Sequence, residues 1–250
     1  MVPKILILQF RKNAVHEALE RESLARELGD QVVVEYRSAL DDTIPWDDPE
    51  AILAPYHGLI LGGSGDFDFD GGRSNHDASK QKSYELLERL QPLLAYVFAV
   101  DFPTLGICFG HQMIGAHAGA TVCHDPSQKK SRSHTVAIVA QESDRLLAGI
   151  PPTFAAHYGH KDSLDRVPDG ATLLVHGGDQ CRVSALRYGN KIYTTQFHPE
   201  LILSDLHKRL EILPGYLPEG VSVEEVFVDD VASNKLLHNF ATLVAAQAHT

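Results

Sequence analysis

One succession of strand, turn and helix constrains the fold of this chain more than any other feature of its sequence. A short apolar run, Thr104–Ile107, is followed at once by Cys108 and then by a helical pattern at His111–Ala118. Glycines at positions 106 and 110 flank the cysteine. Small neighbours tolerate the strained backbone of a sharp turn that lifts one side chain into a cleft. Such a unit is typical of a parallel sheet with helices on both faces, so the pattern predicts an α/β protein with a thiol at a strand end.

Strand and helix patterns alternate before this turn. The predicted strands are Lys4–Phe10, Gln31–Tyr36 and Gly58–Leu61, and the predicted helices are Ala14–Leu28 and Ser79–Val100. In the first helix, apolar side chains at helical spacing predict the buried face, at Val15, Leu19, Leu24 and Leu28. Two loops are predicted as well, a proline-rich one at Ile44–Pro55 and a glycine- and aspartate-rich one at Phe67–Asn75. We expect the second to be an exposed loop rather than a lid.

The pattern changes after the turn. Short β-rich runs separated by turn residues follow at Thr121–Cys123, His134–Val139, Thr153–Ala156, Thr172–His176, Val183–Tyr188 and Lys191–Gln196. They predict antiparallel strands that extend the sheet. A loop rich in proline and glycine is predicted at Pro214–Gly220, and a last amphipathic helix at Val231–Ala246. The prediction is an α/β fold with a doubly wound, mostly parallel central sheet and an antiparallel extension, in one domain spanning residues 1–250.

The charge balance excludes two classes of partner. Acidic residues outnumber basic ones by 33 to 22, for a formal net charge of −11, and such a surface repels phosphate backbones and anionic lipids. We therefore expect no nucleic-acid and no membrane partner. Three cysteines are too few and odd in number for a disulfide framework. No apolar run approaches the roughly 18 residues of a membrane span. The short apolar start is predicted to be a first strand rather than a signal peptide. These features predict a cytoplasmic protein.

Cys108 is the first candidate for catalysis. A helix that begins just after it would direct its dipole and its free N–H groups at the sulfur, which favours the reactive thiolate. The amide of Phe109 would be placed to bind an oxyanion. Taken alone, the pattern also fits a buried structural cysteine between two packing glycines.

Two further segments would complete such a site. His198-Pro-Glu200 follows a predicted strand, so an imidazole base and a carboxylate that orients it would lie at the sheet edge. The glycines at positions 62 and 63 follow another strand and would leave N–H groups open to an anion. Taken alone, the first segment fits a surface histidine at a strand end better, and the second fits a flexible turn better.

Together, three segments resemble the motifs of the class I glutamine amidotransferases in the family's order, namely LILGGSGD, PTLGICFGHQMIGAHAGA and YTTQFHPE. A weaker match, Gly159-His-Lys-Asp162 followed by Val167-Pro-Asp-Gly-Ala171, resembles the run before the third motif in GMP-synthase-like members. The resemblance covers about residues 1–203 and leaves residues 204–250 as a C-terminal extension. It implies the flavodoxin-like fold of that family.

The resemblance also implies roles for individual residues. Cys108 would be the nucleophile, His198 the base and Glu200 its orienting partner, while the amides of Gly63 and Phe109 would form the oxyanion hole. The implied contacts to the small-molecule substrate are Gln112, Gly159, Lys161 and Asp162. The implied reaction is hydrolysis of the γ-amide of glutamine through a cysteine thioester, which releases glutamate and ammonia and uses no cofactor and no metal.

The sequence does not decide what consumes the ammonia. Multidomain members carry a synthetase domain that consumes it, and this chain has no G-x-x-x-x-G-K-[ST] phosphate loop. One alternative is a glutaminase that passes ammonia to a synthetase partner. The second is a stand-alone hydrolase of γ-glutamyl amides or peptides, and the third is a non-catalytic binding or regulatory protein of the same fold. A homodimer is compatible with each.

Overall fold

The computed structural model describes residues 2–128, 130–212, 217 and 220–247. The strands are β1 (Lys4–Gln9), β2 (Val33–Ser38), β3 (Gly58–Leu61), β4 (Thr104–Ile107), β5 (Val122–His124), β6 (Lys130–Ile138), β7 (Thr153–His160), β8 (Asp162–Leu164), β9 (Ala171–His176), β10 (Ala185–Tyr188) and β11 (Ile192–Thr195). The helices are α1 (Ala14–Leu28), α2 (Pro49–Leu53), α3 (Ala78–Val100), α4 (Phe109–His117), α5 (Leu203–Ile212), α6 (Val223–Val226) and α7 (Lys235–Gln247).

Nine of the strands form one sheet, in the order β2-β1-β3-β4-β11-β10-β9-β6-β7. The first five pair in parallel, and the remaining pairs are antiparallel. The parallel part runs outwards from β1 in both directions, which is the strand order of a doubly wound sheet. β5 and β8 form a separate antiparallel pair. The predicted parallel centre with an antiparallel extension is confirmed.

Side chains of the parallel strands belong to two hydrophobic cores, one on each face of the sheet, because successive residues of a strand point to opposite faces. In β1, Ile5 and Ile7 belong to the core that includes α1 and α7, whereas Leu6 and Leu8 belong to the core that includes α3 and α4. All four side chains are fully buried. Burial on both faces explains why Ile5–Leu8 is a continuous apolar run instead of alternating with polar residues.

The buried face of α1 differs from the predicted one, although the bounds of the helix agree. Val15 is 51% exposed. The residues that α1 buries are Glu20, Ser23, Leu24 and Leu28. A carboxylate on the inner face of a helix needs partners there, because burying an unpaired charge is costly. Glu20 finds these partners next to Cys108, as described below.

The loop predicted at Ile44–Pro55 contains the short helix α2. Pro49 begins this helix, where its missing N–H group costs no hydrogen bond. The carboxylate of Asp48 caps the helix by accepting from the amide of Ala51 at 3.0 Å. Proline and aspartate therefore mark a helix start here, which the loop prediction missed, and β8 was not predicted either. The predicted loop Pro214–Gly220 lies largely outside the described residues.

The longest helix, α3, has 23 residues and packs in the core that it shares with α4. The carboxylate of Asp77 caps its start by accepting from the amides of Ser79 and Lys80. It ends at Asp101, which has the left-handed backbone conformation (φ 50°) that often terminates a helix. Within the described residues, no helix is both long and apolar enough to cross a membrane.

The last helix, α7, is part of the main core. Leu237, Phe240 and Val244 are fully buried and pack in the same cluster as the strands of the sheet. The helix approaches β3 so closely that a Cβ atom on Gly58 would lie 2.7 Å from the side chain of Val244. Residues beyond the triad motif thus close one face of the sheet.

This packing predicts a large effect of truncating Phe240. Because the ring is fully buried, Phe240→Ala should lower the free energy of unfolding by about 3–5 kcal/mol. Thr242→Ala, on the exposed side of the same helix, should change it by no more than about 0.5 kcal/mol. Urea titrations of the two variants measure both effects, and similar values would mean that α7 is not part of the core.

Candidate active site

Cys108 occupies a strained turn between β4 and α4. Its backbone has φ 52° and ψ −97°, a conformation that non-glycine residues adopt at a cost of about 1–3 kcal/mol. Its amide donates to the carbonyl oxygen of Thr195 in β11 at 2.8 Å, and α4 begins at the next residue, Phe109. The thiol lies beside the start of a helix, where unpaired N–H groups and the helix dipole favour an anion.

The two flanking glycines are required by close contacts. A Cβ atom on Gly110 would collide with the carbonyl oxygen of Leu61 at the end of β3. A Cβ atom on Gly106 would lie 2.7 Å from the carbonyl oxygen of Gly110. The amide of Gly110 also donates to the carbonyl oxygen of Gly62 at 3.1 Å. Helix α4 can therefore pack directly on the strand ends only because both positions lack a side chain.

His198 and Glu200 meet next to this turn. They follow β11, and the Nδ1 atom of His198 lies 2.8 Å from the Oε1 atom of Glu200. Because a carboxylate only accepts, Nδ1 carries the proton in this contact. The backbone amide of His198 donates to the carbonyl oxygen of His157 at 2.8 Å, which fixes the turn. The imidazole interacts with the Cys108 side chain as well, so the three residues predicted as a triad lie together.

The electrostatics of this cluster favour a charged imidazole. Burial disfavours the imidazolium, but the attraction of Glu200 and of the Cys108 sulfur outweighs it and raises the pKa of His198 to about 10. Burial likewise disfavours the carboxylate, but the attraction of His198, supported by Arg209, lowers the pKa of Glu200. The group next to the thiol is therefore a proton donor at neutral pH.

The Gly63 amide, predicted to bind an oxyanion, already has a partner. It donates to the Oε1 atom of Glu20 at 3.2 Å. The same carboxylate accepts from Arg11 Nη2 at 3.0 Å and from Gln9 Nε2 at 2.9 Å. The expectation of an open amide at Gly63 needs this correction, because a buried carboxylate from α1 occupies the position.

The amide of Phe109 begins α4, where helical N–H groups have no partner inside the helix. Its ring points away into the core, stacked on Phe69 with ring centres 5.1 Å apart and tilted against Phe10 at 5.2 Å. The side chain thus anchors the start of the helix while the backbone borders the thiol. This geometry agrees with a role through the backbone alone.

The predicted substrate contacts lie around one cavity beside the thiol, which we call the Cys108 pocket. It encloses about 290 Å³ of free space, part of it open to solvent. Its lining is Ser64, Phe67, Asp68, Cys108, Phe109, Gln112, Gly159, His160, Lys161 and Asp162. The structure therefore brings all four predicted contacts to the thiol, namely Gln112, Gly159, Lys161 and Asp162.

Several of these residues contact one another or the neighbouring loop. The carboxylate of Asp162 accepts from the amides of Asp70 and Gly71 at 2.8 and 2.6 Å, so it holds the loop rather than facing the cavity. The amide group of Gln112 donates to the Asp162 carbonyl oxygen at 2.8 Å. Lys161 Nζ lies 3.0 Å from the carboxylate of Asp68. A cation and an anion thus stand side by side on the wall of the pocket.

The loop Phe67–Asn75 is not the freely exposed loop that we expected. Phe67 and Phe69 are 2% and 1% exposed and pack under the loop. The aromatic residues of the pattern are anchors, and its acidic residues include Asp68 at the pocket. The glycine-rich composition hid this role, because loop composition does not tell which side chains turn inwards.

Three charged residues of the site have no sequence motif, namely Arg11, Glu20 and Arg209. Arg11 lies two residues after the end of β1, at the carboxyl end of a parallel strand, which is where sites form in such sheets. Glu20 lies four residues before Leu24 and eight before Leu28, so helical spacing could have placed it on the buried face. For Arg209 we find no such signal, since besides Glu200 at 3.7 Å it contacts Ser23 in α1, which lies 186 positions away.

The comparison with protein families decides the relationship. The family model described as glutamine amidotransferase class-I matches residues 41–211, more than half of the chain. The chain belongs to the class I glutamine amidotransferase family.

Named relatives in this family include subunits of glutamine-hydrolysing GMP synthases. The one from Ignicoccus hospitalis is 33% identical over 156 residues, which are 61% of this chain and 76% of that protein. The one from Methanocaldococcus jannaschii is 34% identical over 116 residues, which are 46% of this chain and 60% of that protein. The chain thus covers less than two thirds of the length of the second relative.

Solved structures of the family share the fold. A protein described as belonging to a GMP synthase, from Thermoplasma acidophilum, superimposes with a TM-score of 0.67 at 22% identity, over 100% of this chain and 97% of that one. A glutamine amidotransferase from Thermotoga maritima gives a TM-score of 0.70 at 17% identity, over 98% and 99%. At these identities the similarity concerns the fold, and it confirms the flavodoxin-like class I amidotransferase architecture.

The pKa values of the pair predict how stability depends on pH. The pKa of His198 is raised, so its contribution is complete below 6.5, its ordinary value, and is lost as the pH rises toward about 10. The pKa of Glu200 is lowered, so its contribution is complete above its ordinary value of 4.5 and is lost only in strong acid. The pair therefore stabilises the fold most at weakly acidic pH.

We expect the difference in free energy of unfolding between wild type and Glu200→Gln to be largest near pH 5–6 and to shrink toward about pH 9. Urea titrations at several pH values measure it. Glu50→Gln, which removes an exposed carboxylate, should give a smaller difference than Glu200→Gln near pH 5–6. A Glu200→Gln difference that grows with pH would contradict a protonated His198.

Proposed function

We propose that this protein hydrolyses the γ-amide of glutamine through a thioester on Cys108, releasing glutamate and ammonia. The observation that carries the proposal is the arrangement of Cys108 in a strained turn at a helix start, next to an imidazole that is hydrogen-bonded to a buried carboxylate. Membership of the class I amidotransferase family supports it. A non-catalytic role fits less well, because such a role requires neither the strain at Cys108 nor the buried charges around it.

In the first step, the Cys108 sulfur attacks the γ-carbonyl carbon of glutamine, and a C–S bond forms. The carbonyl π-electrons move to oxygen and return as the C–N bond breaks. The imidazolium of His198 gives its proton to the departing nitrogen, which leaves as ammonia. Glu200 stabilises the imidazolium before this transfer and keeps Nδ1 protonated afterwards.

In the second step, water attacks the thioester carbon. The neutral imidazole of His198 takes a proton from this water, the C–S bond breaks, and the thiolate is restored as glutamate forms. The attacking water enters from the side that ammonia has left, since His198 serves both transfers. The reaction needs a reduced thiol, which agrees with the three free cysteines and with a cytoplasmic setting.

Two backbone amides would stabilise the tetrahedral oxyanion. The Phe109 amide at the start of α4 borders the thiol and needs no rearrangement. The Gly63 amide would have to exchange its contact with Glu20 for one with the oxyanion. In our proposal, Glu20 thus loses its contact with Gly63 during the reaction and keeps its contacts with Arg11 and Gln9.

The Cys108 pocket would bind the amino-acid end of glutamine. That end is a zwitterion, and the pocket wall carries the ion pair of Lys161 and Asp68 at 3.0 Å. Lys161 would bind the α-carboxylate and Asp68 the α-ammonium, while Asp68 keeps its ion pair with Arg73 at 2.9 Å. The amide group of Gln112 is held by the Asp162 carbonyl oxygen, which leaves its own oxygen for the substrate.

Delivery of the ammonia to a synthetase partner draws its support from the relatives that are named as GMP synthase subunits. That support concerns relatives that the chain covers only in part. Solvent release of ammonia by the isolated chain is the simpler form of the proposal, and the experiments below use the chain by itself.

The proposal predicts that Cys108→Ala lowers glutamine hydrolysis at least about 10³-fold, because no other group can form the thioester. Cys123→Ala should retain nearly full activity, since Cys123 lies in β5 and does not line the Cys108 pocket. Ammonia release measures both variants, and mass spectrometry of wild type quenched during turnover should detect a glutamyl adduct on the peptide of Cys108. Full activity of Cys108→Ala would disprove the mechanism.

The ion pair on the pocket wall leads to a separate prediction. Lys161→Gln should raise KM for glutamine roughly tenfold or more while kcat changes little, because the lost contact is remote from the scissile bond. The variant should leave turnover of 4-aminobutanamide, which lacks the α-carboxylate, nearly unchanged. Lys80→Gln is a matched control, since Lys80 pairs with Asp70 at 3.5 Å and does not line the pocket. Equal losses with both substrates would contradict the assigned contact.

A further inference from the structure

A second cavity lies on the other side of the reacting groups, and we call it the His198 pocket. It contains about 680 Å³ of free space, part of it open solvent, against about 290 Å³ for the Cys108 pocket on the same measure. It shares Ser64 and Gly159 with the Cys108 pocket. Cys108 lines the one pocket and His198 lines the other, so the thiol and the imidazole stand between them.

The position of His198 decides which part of a substrate each cavity receives. The imidazolium must reach the departing nitrogen, so the leaving amine lies on the side of His198. The glutamyl part lies on the side of the sulfur and of Lys161. The His198 pocket is therefore the leaving-group side, and it is far larger than ammonia requires.

Most of the wall of the His198 pocket is apolar. Its apolar members are Leu19, Tyr158, Leu201, Leu206, Leu210 and Phe227. They come from α1, β7, the segment after β11, α5 and the end of α6. A hydrocarbon side chain that leaves water to contact them lowers the free energy of the complex. Ammonia would gain nothing from such a wall.

The polar part of the wall includes two guanidinium side chains, Arg11 and Arg209, together with His16, Ser64, Ser131 and His198. The charge of Arg11 is balanced by Glu20 at 3.0 Å. Arg209 lies 3.7 Å from Glu200, which already binds the imidazole at 2.8 Å, and it donates to Ser23 Oγ at 3.2 Å. Its Nε atom has no hydrogen-bond partner among the described residues.

The environment of Arg209 favours an additional anion. Burial and the nearby positive charge of Arg11 lower the pKa of Arg209, while Glu200 and Glu20 only partly compensate. A carboxylate placed in the pocket would stabilise this cation, and the planar guanidinium offers parallel N–H donors for it.

We propose that the His198 pocket binds a leaving amine that carries an apolar side chain and a carboxylate, so that the preferred substrates are γ-glutamyl dipeptides with an apolar C-terminal residue. This inference rests on the proposed function, since it uses the same thiol and imidazole. Arg209 binds the carboxylate, and the apolar wall binds the side chain.

Hydrolysis of such a dipeptide follows the same two steps as hydrolysis of glutamine. Cys108 forms the C–S bond, the γ-amide C–N bond breaks, and the proton of the His198 imidazolium goes to the nitrogen of the departing amino acid. Water then hydrolyses the thioester, and the products are glutamate and one apolar amino acid. No further reactant is needed.

The test compares four substrates on purified wild-type protein: glutamine, γ-glutamyl-leucine, γ-glutamyl-glycine and γ-glutamyl-3-methylbutylamide. The last is γ-glutamyl-leucine without its carboxylate. We expect kcat/KM for γ-glutamyl-leucine to exceed that for each of the other two γ-glutamyl compounds by roughly tenfold or more. Ratios near one would overturn the inference, as would turnover of glutamine alone.

Variants of α5 then test the role of Arg209. Because Arg209 also contacts Glu200, its removal affects all substrates, so the readout is the ratio between γ-glutamyl-leucine and the methylbutylamide within one enzyme. Arg209→Gln should bring this ratio close to one, and Arg209→Lys should keep part of it. Lys208→Gln removes a charge from the same helix at an exposed position that does not line the pocket, and its ratio should equal that of wild type.

The outcomes separate the two proposals. Hydrolysis of glutamine without preference for the leucine compound keeps the proposed function and refutes the inference about the leaving group. Absence of Cys108-dependent turnover with every substrate refutes both. An unchanged ratio in Arg209→Gln refutes the carboxylate contact, and the wild-type ratios remain decisive if that variant does not fold.

Discussion

The contact between α4 and the end of β3 is the constraint on which the site depends. Helix and strand touch through backbone alone, because Gly110 meets the Leu61 carbonyl oxygen where any Cβ atom would collide. This approach forces the left-handed turn at Cys108 and sets the start of the helix beside the sulfur. The cost of the strained residue is met by the packing of the two cores around it. The reactivity that we assign to the Cys108 thiol therefore follows from the close packing of Gly110 on the end of β3.

Buried charges of both signs surround this turn. Each is paired, because an unpaired charge in the interior would be too costly. Glu20 binds Arg11, Glu200 binds His198, and Arg209 lies next to Glu200. Buried pairs of this kind stabilise a fold weakly, since desolvation offsets most of their attraction. Their presence in a core points to work beyond stability, and three of these residues, Arg11, His198 and Arg209, line the His198 pocket. Strong coupling also means that a change in one member alters the protonation of its neighbours.

The sequence predicted the parallel part of the sheet and the turn at Cys108, since both depend on local patterns. Apolar runs indicated the strands, and glycine spacing indicated the turn. The roles of Glu20, Asp162 and Arg209 depend on contacts between residues far apart in the chain, as in the bond from Gly63 to Glu20, which spans 43 positions. Local periodicity carries no information about such pairs. Val15 failed as a core residue for a related reason, because spacing defines a helical stripe but not which neighbouring stripe faces the sheet. Composition likewise described Phe67–Asn75 as a loop without revealing that its two phenylalanines are buried.

The place of α7 in the core has a consequence for synthesis on the ribosome. The face of the sheet that carries Ile5 and Ile7 is closed by Leu237, Phe240 and Val244, which are translated more than 200 residues later. At about 5–20 residues per second, roughly 10–50 s pass between the first strand and the helix that covers it. During that time the nascent chain presents an apolar surface, and the middle of the sheet also waits for β11 to enter beside β4. Folding of this chain is thus coupled to the completion of its C-terminal part, and chaperone protection matters most in that interval.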